Sequence, residues 1–192
     1  TLIQGEDAGA EKVATALAYY ADNPLKWMDD FLWGYDPRNQ KIQTTDGEFL
    51  PVYVPMRLCH VQAELVDWMI WLRDERRHGQ CWKSRGVGLS YYAVGLEVFW
   101  WLFETAFAGS MLSETEEQVD RRSDPDSLFE KARIMLEFCP SWMLPQGFEV
   151  GLHSDHDNHR RLINPENAST LVGKIGKNPG RGGRSSFAFV DE

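Results

Sequence analysis

The chain has 192 residues, of which 43% are hydrophobic and 26% are charged, and this is enough for one domain with a core of its own. Its formal net charge of −9 argues against tight binding of nucleic acid through bulk positive charge and leaves only transient contact through a local basic patch. No apolar run reaches the roughly 18 residues of a membrane-spanning helix, so we expect no membrane insertion. Cys59, Cys81 and Cys139 are widely spaced, which predicts an intracellular protein whose thiols serve as small apolar side chains.

Three helices are predicted in the first half of the chain. Residues 8–22 are alanine-rich, with apolar residues three and four positions apart, and residues 24–33 have a proline at the first helical position. Residues 43–56 are predicted to form a loop. The third helix, residues 58–77, is amphipathic. Its apolar face consists of Val61, Leu65, Trp68, Met69 and Leu72.

Strands alternate with helices in the middle of the chain. A short strand at residues 80–83 is predicted to lead through a glycine loop into an apolar helix at residues 89–108, which we expect to be buried against a sheet. A second strand follows from residue 109 and breaks into a helix whose N-cap is Ser113. A further helix is predicted at residues 125–138, either separate from the preceding helix or continuous with it across a break at Pro125.

The last part of the chain changes its pattern. Residues 147–176 alternate between apolar and polar side chains, which predicts one or two antiparallel, hairpin-like strands. Residues 178–184, NPGRGGR, form a glycine-rich basic turn. The final stretch, SSFAFVDE, predicts a buried strand that ends in two acids. This succession of strands and helices is typical of an α/β fold with a mostly parallel sheet flanked by helices.

Residues 81–92, CWKSRGVGLSYY, have the length and glycine content of a phosphate-binding loop that runs into a helix. In the general form of such a loop, backbone N–H groups hold the phosphates, a lysine neutralises them, and the hydroxyl after that lysine binds Mg²⁺. Gly88 and Ser90 fit this pattern, but Leu89 occupies the lysine position. Lys83 could reach the phosphates from the beginning of the loop, on its long flexible side chain. Taken alone, the loop is at least as well explained as a turn whose glycines serve only the backbone conformation.

The acidic pair Asp191 and Glu192 ends the last apolar strand. An ATPase with an additional catalytic glutamate needs such a pair, because the aspartate organises the Mg²⁺ between the outer phosphates and the glutamate deprotonates the attacking water. Both acids must lie at the carboxyl end of a strand, beside the phosphate loop. An apolar strand that ends in Asp-Glu is common by itself. At this distance after Ser90, with one strand and helix unit between them, it favours a nucleotide site over a chance turn.

With both motifs in place, the sequence resembles the large terminase subunits of tailed phages, the ATPases that pump DNA into proheads. KSRGVGLS, residues 83–90, looks like the variant Walker A loop of that family, which begins with lysine or arginine and continues through an arginine to a glycine and a hydroxyl residue. FVDE, residues 189–192, looks like its Walker B motif with the catalytic glutamate. Weaker similarity extends over residues 22–192, through the stretches NPLKWMDDFLWGYDPR, VPMRLCHVQAELVDWM, SMLSETEEQ and GRGGR.

The resemblance implies a nucleotide-binding role for residues of the loop and of the helix before it. Lys83 would contact the β- and γ-phosphates, and Gln62 is the candidate for recognition of adenine. The phosphates would be wrapped by the residues Ser84, Arg85, Gly86, Val87, Gly88, Leu89 and Ser90. Two of these depart from the family pattern, since Gly86 stands where a glutamine is frequent and Leu89 stands where a second lysine is usual.

The resemblance also implies the metal ligands and the catalytic groups. Ser90 and Asp191 would hold Mg²⁺, and Glu192 would be the base that activates water. Arg85, the arginine inside the loop, would stabilise the transition state from the same chain. Because Leu89 is not a lysine, Lys83 and Arg85 are the only cations that the loop itself offers.

For the whole protein, the resemblance implies a P-loop NTPase fold of the additional-strand, catalytic-glutamate type, which binds ATP and Mg²⁺. Residues 1–57 would be an N-terminal helical segment on the adenine side. Residues 58–192 would be the ATPase core, truncated after Walker B, with an incomplete sheet, no nuclease domain and weak or absent turnover. The expected partners are double-stranded DNA in transient contact, the portal protein, the small terminase subunit and further copies in a homo-oligomeric ring. The expected location is the cytoplasm of the phage's host cell, away from membranes.

Two other functions stay open. The chain could be a fragment or binding module that keeps the ATPase fold and binds nucleotide without hydrolysing it. It could also belong to a helicase-like or other P-loop ATPase with an additional glutamate. ATP turnover separates the first alternative from a packaging motor, and the presence of a nuclease domain in the full-length chain separates the second.

Two polar clusters outside these motifs have both a functional and a structural interpretation. The histidines at residues 153–159 could bind zinc or belong to a polar loop between strands; they are His153, His156 and His159. A basic run could contact a DNA backbone or a neighbouring subunit, or form a solvated turn. Its members are Lys174, Lys177, Arg181 and Arg184.

Two further groups are predicted to be structural. The acids after the second strand are expected to form a solvated helix face; they are Glu114, Glu116, Glu117 and Asp120. Five of the eight tryptophans lie between Trp68 and Trp101. We expect them to form an aromatic core rather than a platform on which bases stack.

Overall fold

The computed structural model describes residues 9–84, 86–151, 154–176 and 184–191. The helices are α1 (Ala10–Ala21), α2 (Pro24–Phe31), α3 (His60–Asp74), α4 (Leu89–Phe103), α5 (Glu116–Val119) and α6 (Leu128–Phe138). The strands are β1 (Trp33–Tyr35), β2 (Tyr53–Pro55), β3 (Ala108–Ser113), β4 (Asp157–Asn158), β5 (Arg161–Ile163), β6 (Thr170–Ile175) and β7 (Phe187–Val190). Short 3₁₀ helices lie at Pro37–Lys41 and Ser141–Met143. The predicted α/β class is therefore confirmed.

The main sheet has five strands in the order β4-β5-β6-β3-β7. The strand β3 is parallel to both of its neighbours, β6 and β7, whereas β5 is antiparallel to β6 and β4 is antiparallel to β5. The sheet is therefore mixed: β6, β3 and β7 form the parallel part that was predicted, and β4 and β5 form the antiparallel, hairpin-like strands predicted within residues 147–176. Residues 159–160 and 164–169 are too short to cross over the sheet, and connections of that length join only antiparallel strands.

Helix α4 lies at the centre of the core. Its side chains are apolar nearly all round, and most of them are buried against α2, α3, α6 and the main sheet, as predicted. Gly95 allows α2 to come close, because a Cβ at this position would lie 2.7 Å from Leu32 Cδ1. The helix ends at Phe103, earlier than predicted. No helix in the described ranges is long and apolar enough to cross a membrane.

The N-terminal half contains a small two-stranded sheet that the sequence pattern did not predict. Strand β1 begins at Trp33, the last residue of the predicted helix 24–33, and it pairs antiparallel with β2, which lies in the predicted loop 43–56. The ring of Trp33 stacks on Phe138 of α6, with the ring centroids 4.4 Å apart. Each of these two strands has three residues, which is too few to show an alternation of apolar and polar side chains, and the pairing partner lies far away along the chain.

Local predictions near α3 and the loop after it are partly wrong. Val61 is 71% exposed in the first turn of α3, while Val66 is fully buried in its place. Residues 80–83 form no strand, because no described strand runs beside them to accept their hydrogen bonds. Trp82 is 88% exposed and Trp71 is 46% exposed, so only part of the tryptophan group belongs to the core.

The segment after β3 is also capped differently from the prediction. Thr115, not Ser113, is the N-cap of α5 and accepts a hydrogen bond from the backbone N–H of Gln118. The hydroxyl of Ser113 instead donates to the backbone oxygen of Asp191, at 2.8 Å. Helices α5 and α6 are separate. Cys59 and Cys81 are exposed free thiols, so only the buried Cys139 serves as an apolar side chain as predicted.

A buried ion network joins α6 to α5 and to the β4–β5 hairpin. Arg133 Nη1 lies 2.6 Å from Asp120 Oδ1, and Arg133 Nε lies 3.0 Å from Asp157 Oδ1. A second cation, Arg122, lies 3.0 Å from Asp157. Asp120 is only 4% exposed, so its assignment to a solvated helix face is wrong. Burial alone would raise the pKa of Asp120, but the hydrogen bonds from Arg133 and from the backbone of Arg160 outweigh it and hold this pKa below its ordinary value.

Candidate functional site

The glycines of the loop place the beginning of α4 beside the main sheet. Gly86 and Gly88 have φ angles of 84° and 77°, a left-handed conformation that glycine adopts without strain. Gly88 is the N-cap of α4, so the first backbone N–H groups of this helix have no intrahelical partners, and the residues that carry them line the cleft. The side chain of Leu89 is buried, with 8% exposed, and it contributes packing instead of charge.

The hydroxyl of Ser90 meets the carboxylate of Asp191. Ser90 Oγ donates to Asp191 Oδ2 at 2.5 Å, although the two residues are 101 positions apart. Two contacts from β3 hold Asp191 in place. Its backbone N–H donates to the backbone oxygen of Leu112 at 2.9 Å, and its own backbone oxygen accepts from Ser113 Oγ. The parallel pairing of β3 and β7 therefore brings the end of β7 to the beginning of α4.

A cleft of about 270 Å³ lies between the loop, α4, α6 and the end of β7. Its lining consists of Lys83, Gly86, Gly88, Leu89, Ser90, Tyr91, Asp126, Lys131 and Asp191. Pockets that enclose a whole small molecule usually measure about 300–1,000 Å³. The cleft therefore has room for the polyphosphate part of a nucleotide, while the base and sugar would lie outside it.

Most of the residues predicted from the two motifs converge on this cleft. Those that line it are Lys83, Gly86, Gly88, Leu89, Ser90 and Asp191. Ser84 and Val87 belong to the same loop but are exposed and do not line the cleft. The two predicted catalytic groups, Arg85 and Glu192, lie outside the described residues.

Gln62 lies near the loop but away from the cleft lining. Its Oε1 accepts a hydrogen bond from the backbone N–H of Cys59 at 2.9 Å, and its Nε2 donates to the backbone oxygen of Val87 at 3.5 Å. It also contacts Tyr92, whose pKa burial raises to about 12. In this structure the glutamine caps α3 and connects it to the loop.

Three cleft residues were absent from the sequence-based prediction: Tyr91, Asp126 and Lys131. Lys131 belongs to α6 and is 5% exposed. Its Nζ donates to the backbone oxygen of Asp126 and lies 5.3 Å from the centre of the Tyr91 ring. Along the chain Lys131 is one charged residue of an amphipathic helix, and no motif distinguishes it. Only the packing of α6 against α4 turns it towards the cleft.

The residue types of the cleft fit a magnesium ion. Mg²⁺ takes hard oxygen ligands, and it commonly binds through one or two protein groups together with water and substrate phosphates. The hydroxyl of Ser90 and the carboxylate of Asp191 are such ligands, already in contact with each other. The described residues contain no group of three or more His, Cys, Asp or Glu side chains that could hold a metal alone.

The described members of the two competing polar clusters do not line the cleft. His159 Nε2 is 2.7 Å from Glu116 Oε1, and His156 lies before the β4–β5 hairpin, while His153 is outside the described residues. In the basic run, Lys174 is in β6 and Arg184 is exposed ahead of β7. Lys177 and Arg181 are not described.

A second cleft, of about 390 Å³, lies beside α1 and the end of α4. Its walls are mostly apolar, and Glu166 is its one charged lining residue. A surface of this kind offers nothing to an anionic ligand. Of these two clefts, only the one at the glycine loop has the charge and the hydrogen-bond donors that a phosphate needs.

No family model matches the chain, and no curated protein matches it in sequence. Any function assigned to this chain therefore rests on the geometry of the cleft, on its residue types and on the two sequence motifs.

Proposed function

We propose that this chain binds ATP with Mg²⁺ in the cleft at the glycine loop and hydrolyses it as the motor portion of a phage-type large terminase. The observation that carries the proposal is the contact between Ser90 and Asp191 at 2.5 Å. A phosphate-loop hydroxyl and an acid at the end of a neighbouring strand must meet in this way to share one metal ion. A turn that served only the backbone conformation would not need this partner.

The described residues suit the binding of a polyphosphate. Lys83 supplies a flexible positive charge at the mouth of the cleft, and the free N–H groups at the beginning of α4 supply fixed donors. Ser90 and Asp191 would hold Mg²⁺, which when bound neutralises charge on the outer phosphates. The assignments of Glu192 to water activation and of Arg85 to the transition state rest on the sequence resemblance.

The further step to a DNA-packaging motor rests on the combination of the motifs. A lysine at the beginning of the loop, an arginine within it and Leu89 at the usual lysine position are typical of the terminase loop and not of the general phosphate loop. We therefore propose double-stranded DNA, the portal protein, the small terminase subunit and a ring of identical chains as partners in a host cytoplasm.

One observation favours a second candidate, a unit that binds nucleotide without turnover. Residues 81–84 are exposed and belong to no strand, so Lys83 is held by the loop alone. A loosely held lysine binds phosphate but positions the reacting atoms poorly. We therefore expect weak ATP hydrolysis by these 192 residues. Rapid turnover that disappears in Glu192→Gln would contradict this expectation.

Calorimetric titration with Mg·ATP tests the proposed site. The chain should bind Mg·ATP, and Lys83→Ala should weaken binding about tenfold or more, since a charge-assisted hydrogen bond is worth about 1.5–3 kcal/mol. Asp191→Asn should remove most of the gain in affinity that Mg²⁺ gives. Lys41→Ala, at an exposed lysine away from the cleft, is the matched control and should bind like the wild type. Absence of Mg·ATP binding by the wild-type chain would show that the proposal is wrong.

A further inference from the structure

A buried lysine from α6 lines the same cleft as the loop lysine. Lys131 is 5% exposed, yet it lines the same cleft as Lys83, Ser90 and Asp191. Its ammonium group donates to a neutral backbone oxygen, that of Asp126, and lies 5.3 Å from the centre of the Tyr91 ring. Within the described ranges it forms no ion pair with a carboxylate.

Such a position is costly for a charged side chain. Burial lowers the pKa of Lys131 below its ordinary value, and the nearby charge of Lys83 acts in the same direction. The carboxylates of Asp126, Asp191 and Asp124 oppose this effect only in part. A buried ammonium group without a paired anion destabilises the folded chain. The site would gain most from an anion placed between the two lysines.

We propose that Lys131 is a second phosphate-binding residue, which supplies from α6 the positive charge that the loop lacks at Leu89. This inference rests on the proposed nucleotide site and adds a residue to it. Lys83 reaches the cleft from the loop and Lys131 from α6, and Ser90 and Asp191 line the same cleft. A polyphosphate chain bound there would then contact ammonium groups from two different elements.

The placement also explains why Leu89 is tolerated. The general phosphate loop has a lysine next to its hydroxyl residue. That lysine places a positive charge at the beginning of the helix. In this chain that position is buried and apolar, and the neighbouring helix α6 provides a lysine that the packing against Tyr91 holds in one place. A side chain held in this way loses less conformational freedom on binding than an exposed lysine does.

The test compares Lys131→Met with Lys12→Met, a change of the same kind at an exposed lysine of α1. Calorimetric titration with Mg·ATP and with Mg·tripolyphosphate, which has no base, measures the affinity. Lys131→Met should weaken both ligands about tenfold or more, and Lys12→Met should leave both unchanged. In thermal melts without ligand, Lys131→Met should be as stable as the wild type or more stable, because it removes a buried charge.

A merely structural lysine would give the opposite pair of results, with a lower melting temperature and unchanged affinity. Lys131→Gln provides a second variant, since its amide can still donate to the oxygen of Asp126 but carries no charge; it should bind as weakly as Lys131→Met. If neither variant folds, or if both bind like the wild type, the proposal is overturned. If the wild type binds Mg·ATP and only Lys83→Ala weakens binding, this result supports the proposed nucleotide site and contradicts the proposed role of Lys131.

Discussion

Replacement of Arg133 by methionine should lower the free energy of unfolding by about 3–5 kcal/mol, the usual cost of removing one partner from a buried ion pair. Arg133 is 3% exposed and is paired with Asp120 and Asp157. Methionine fills a similar length but leaves Asp120 buried without its main counter-charge. Asp157 keeps the ion pair with Arg122 and the hydrogen bond from the backbone N–H of Gly151. Urea denaturation followed by circular dichroism measures the loss.

The control for Arg133→Met is Arg161→Met, at an exposed position of β5, which should change the free energy of unfolding by less than about 0.5 kcal/mol.

The deficit of Arg133→Met, which is its loss of unfolding free energy relative to the wild type, should also depend on pH. Because the pKa of Asp120 is lowered in the folded protein, its stabilising contribution is present above the ordinary pKa of 3.8 and is lost as the pH falls through the folded pKa. The deficit should therefore shrink in acid. A loss below about 1 kcal/mol at neutral pH would contradict the assigned role of the network.

Replacement of Glu97 by glutamine should make the chain more stable at high pH and change its stability little near pH 4. Glu97 lies on α4, is fully buried, and in the described structure neither carboxyl oxygen has a hydrogen-bond partner of normal geometry. Burial raises the pKa of Glu97 well above 4.5, while the backbone of Phe189 and the charge of Lys174 oppose this only weakly.

The sign of the pH effect follows from proton binding. The folded chain keeps the Glu97 proton above pH 4.5, whereas the unfolded chain releases it, so the wild type loses stability as the pH rises until it passes the folded pKa. The loss can reach about 1.4 kcal/mol per pH unit for one group. Urea denaturation at pH 5, 6, 7 and 8 should show a difference between Glu97→Gln and wild type that grows with pH. Glu48→Gln, in an exposed loop, is the matched control, and equal curves for all three proteins would refute the prediction.

The two motifs of the candidate site could be recognised in the sequence because each is local. A glycine loop before a helix and an acid after an apolar strand are both recognisable from short stretches of sequence. Together these two motifs predicted Lys83, Ser90 and Asp191 as site residues. Lys131 could not be found in this way. Its neighbours along α6 are those of any amphipathic helix. Whether Lys131 lines a cleft depends on which helix packs against α6.

The fold was predictable to a similar extent. Helices α1, α3, α4 and α6 follow from apolar periodicity and begin and end within a few residues of the predicted bounds, because their hydrogen bonds are internal. Strands depend on partners elsewhere in the chain. The sequence pattern therefore missed the pairing of β1 with β2, and it predicted a strand at residues 80–83 where no neighbouring strand exists among the described residues.

The sequence alone determined the α/β class, the buried central helix and the residue types of a phosphate-binding loop, since these depend on composition and local spacing. The tertiary structure decided three other matters: that Ser90 meets Asp191 across 101 positions, that Asp120 is buried with Arg133, and that Lys131 lines the same cleft as Lys83. Each of these depends on which surfaces pack together. Packing is a property of the whole chain, because a contact between distant residues forms only when the elements that carry them are held side by side.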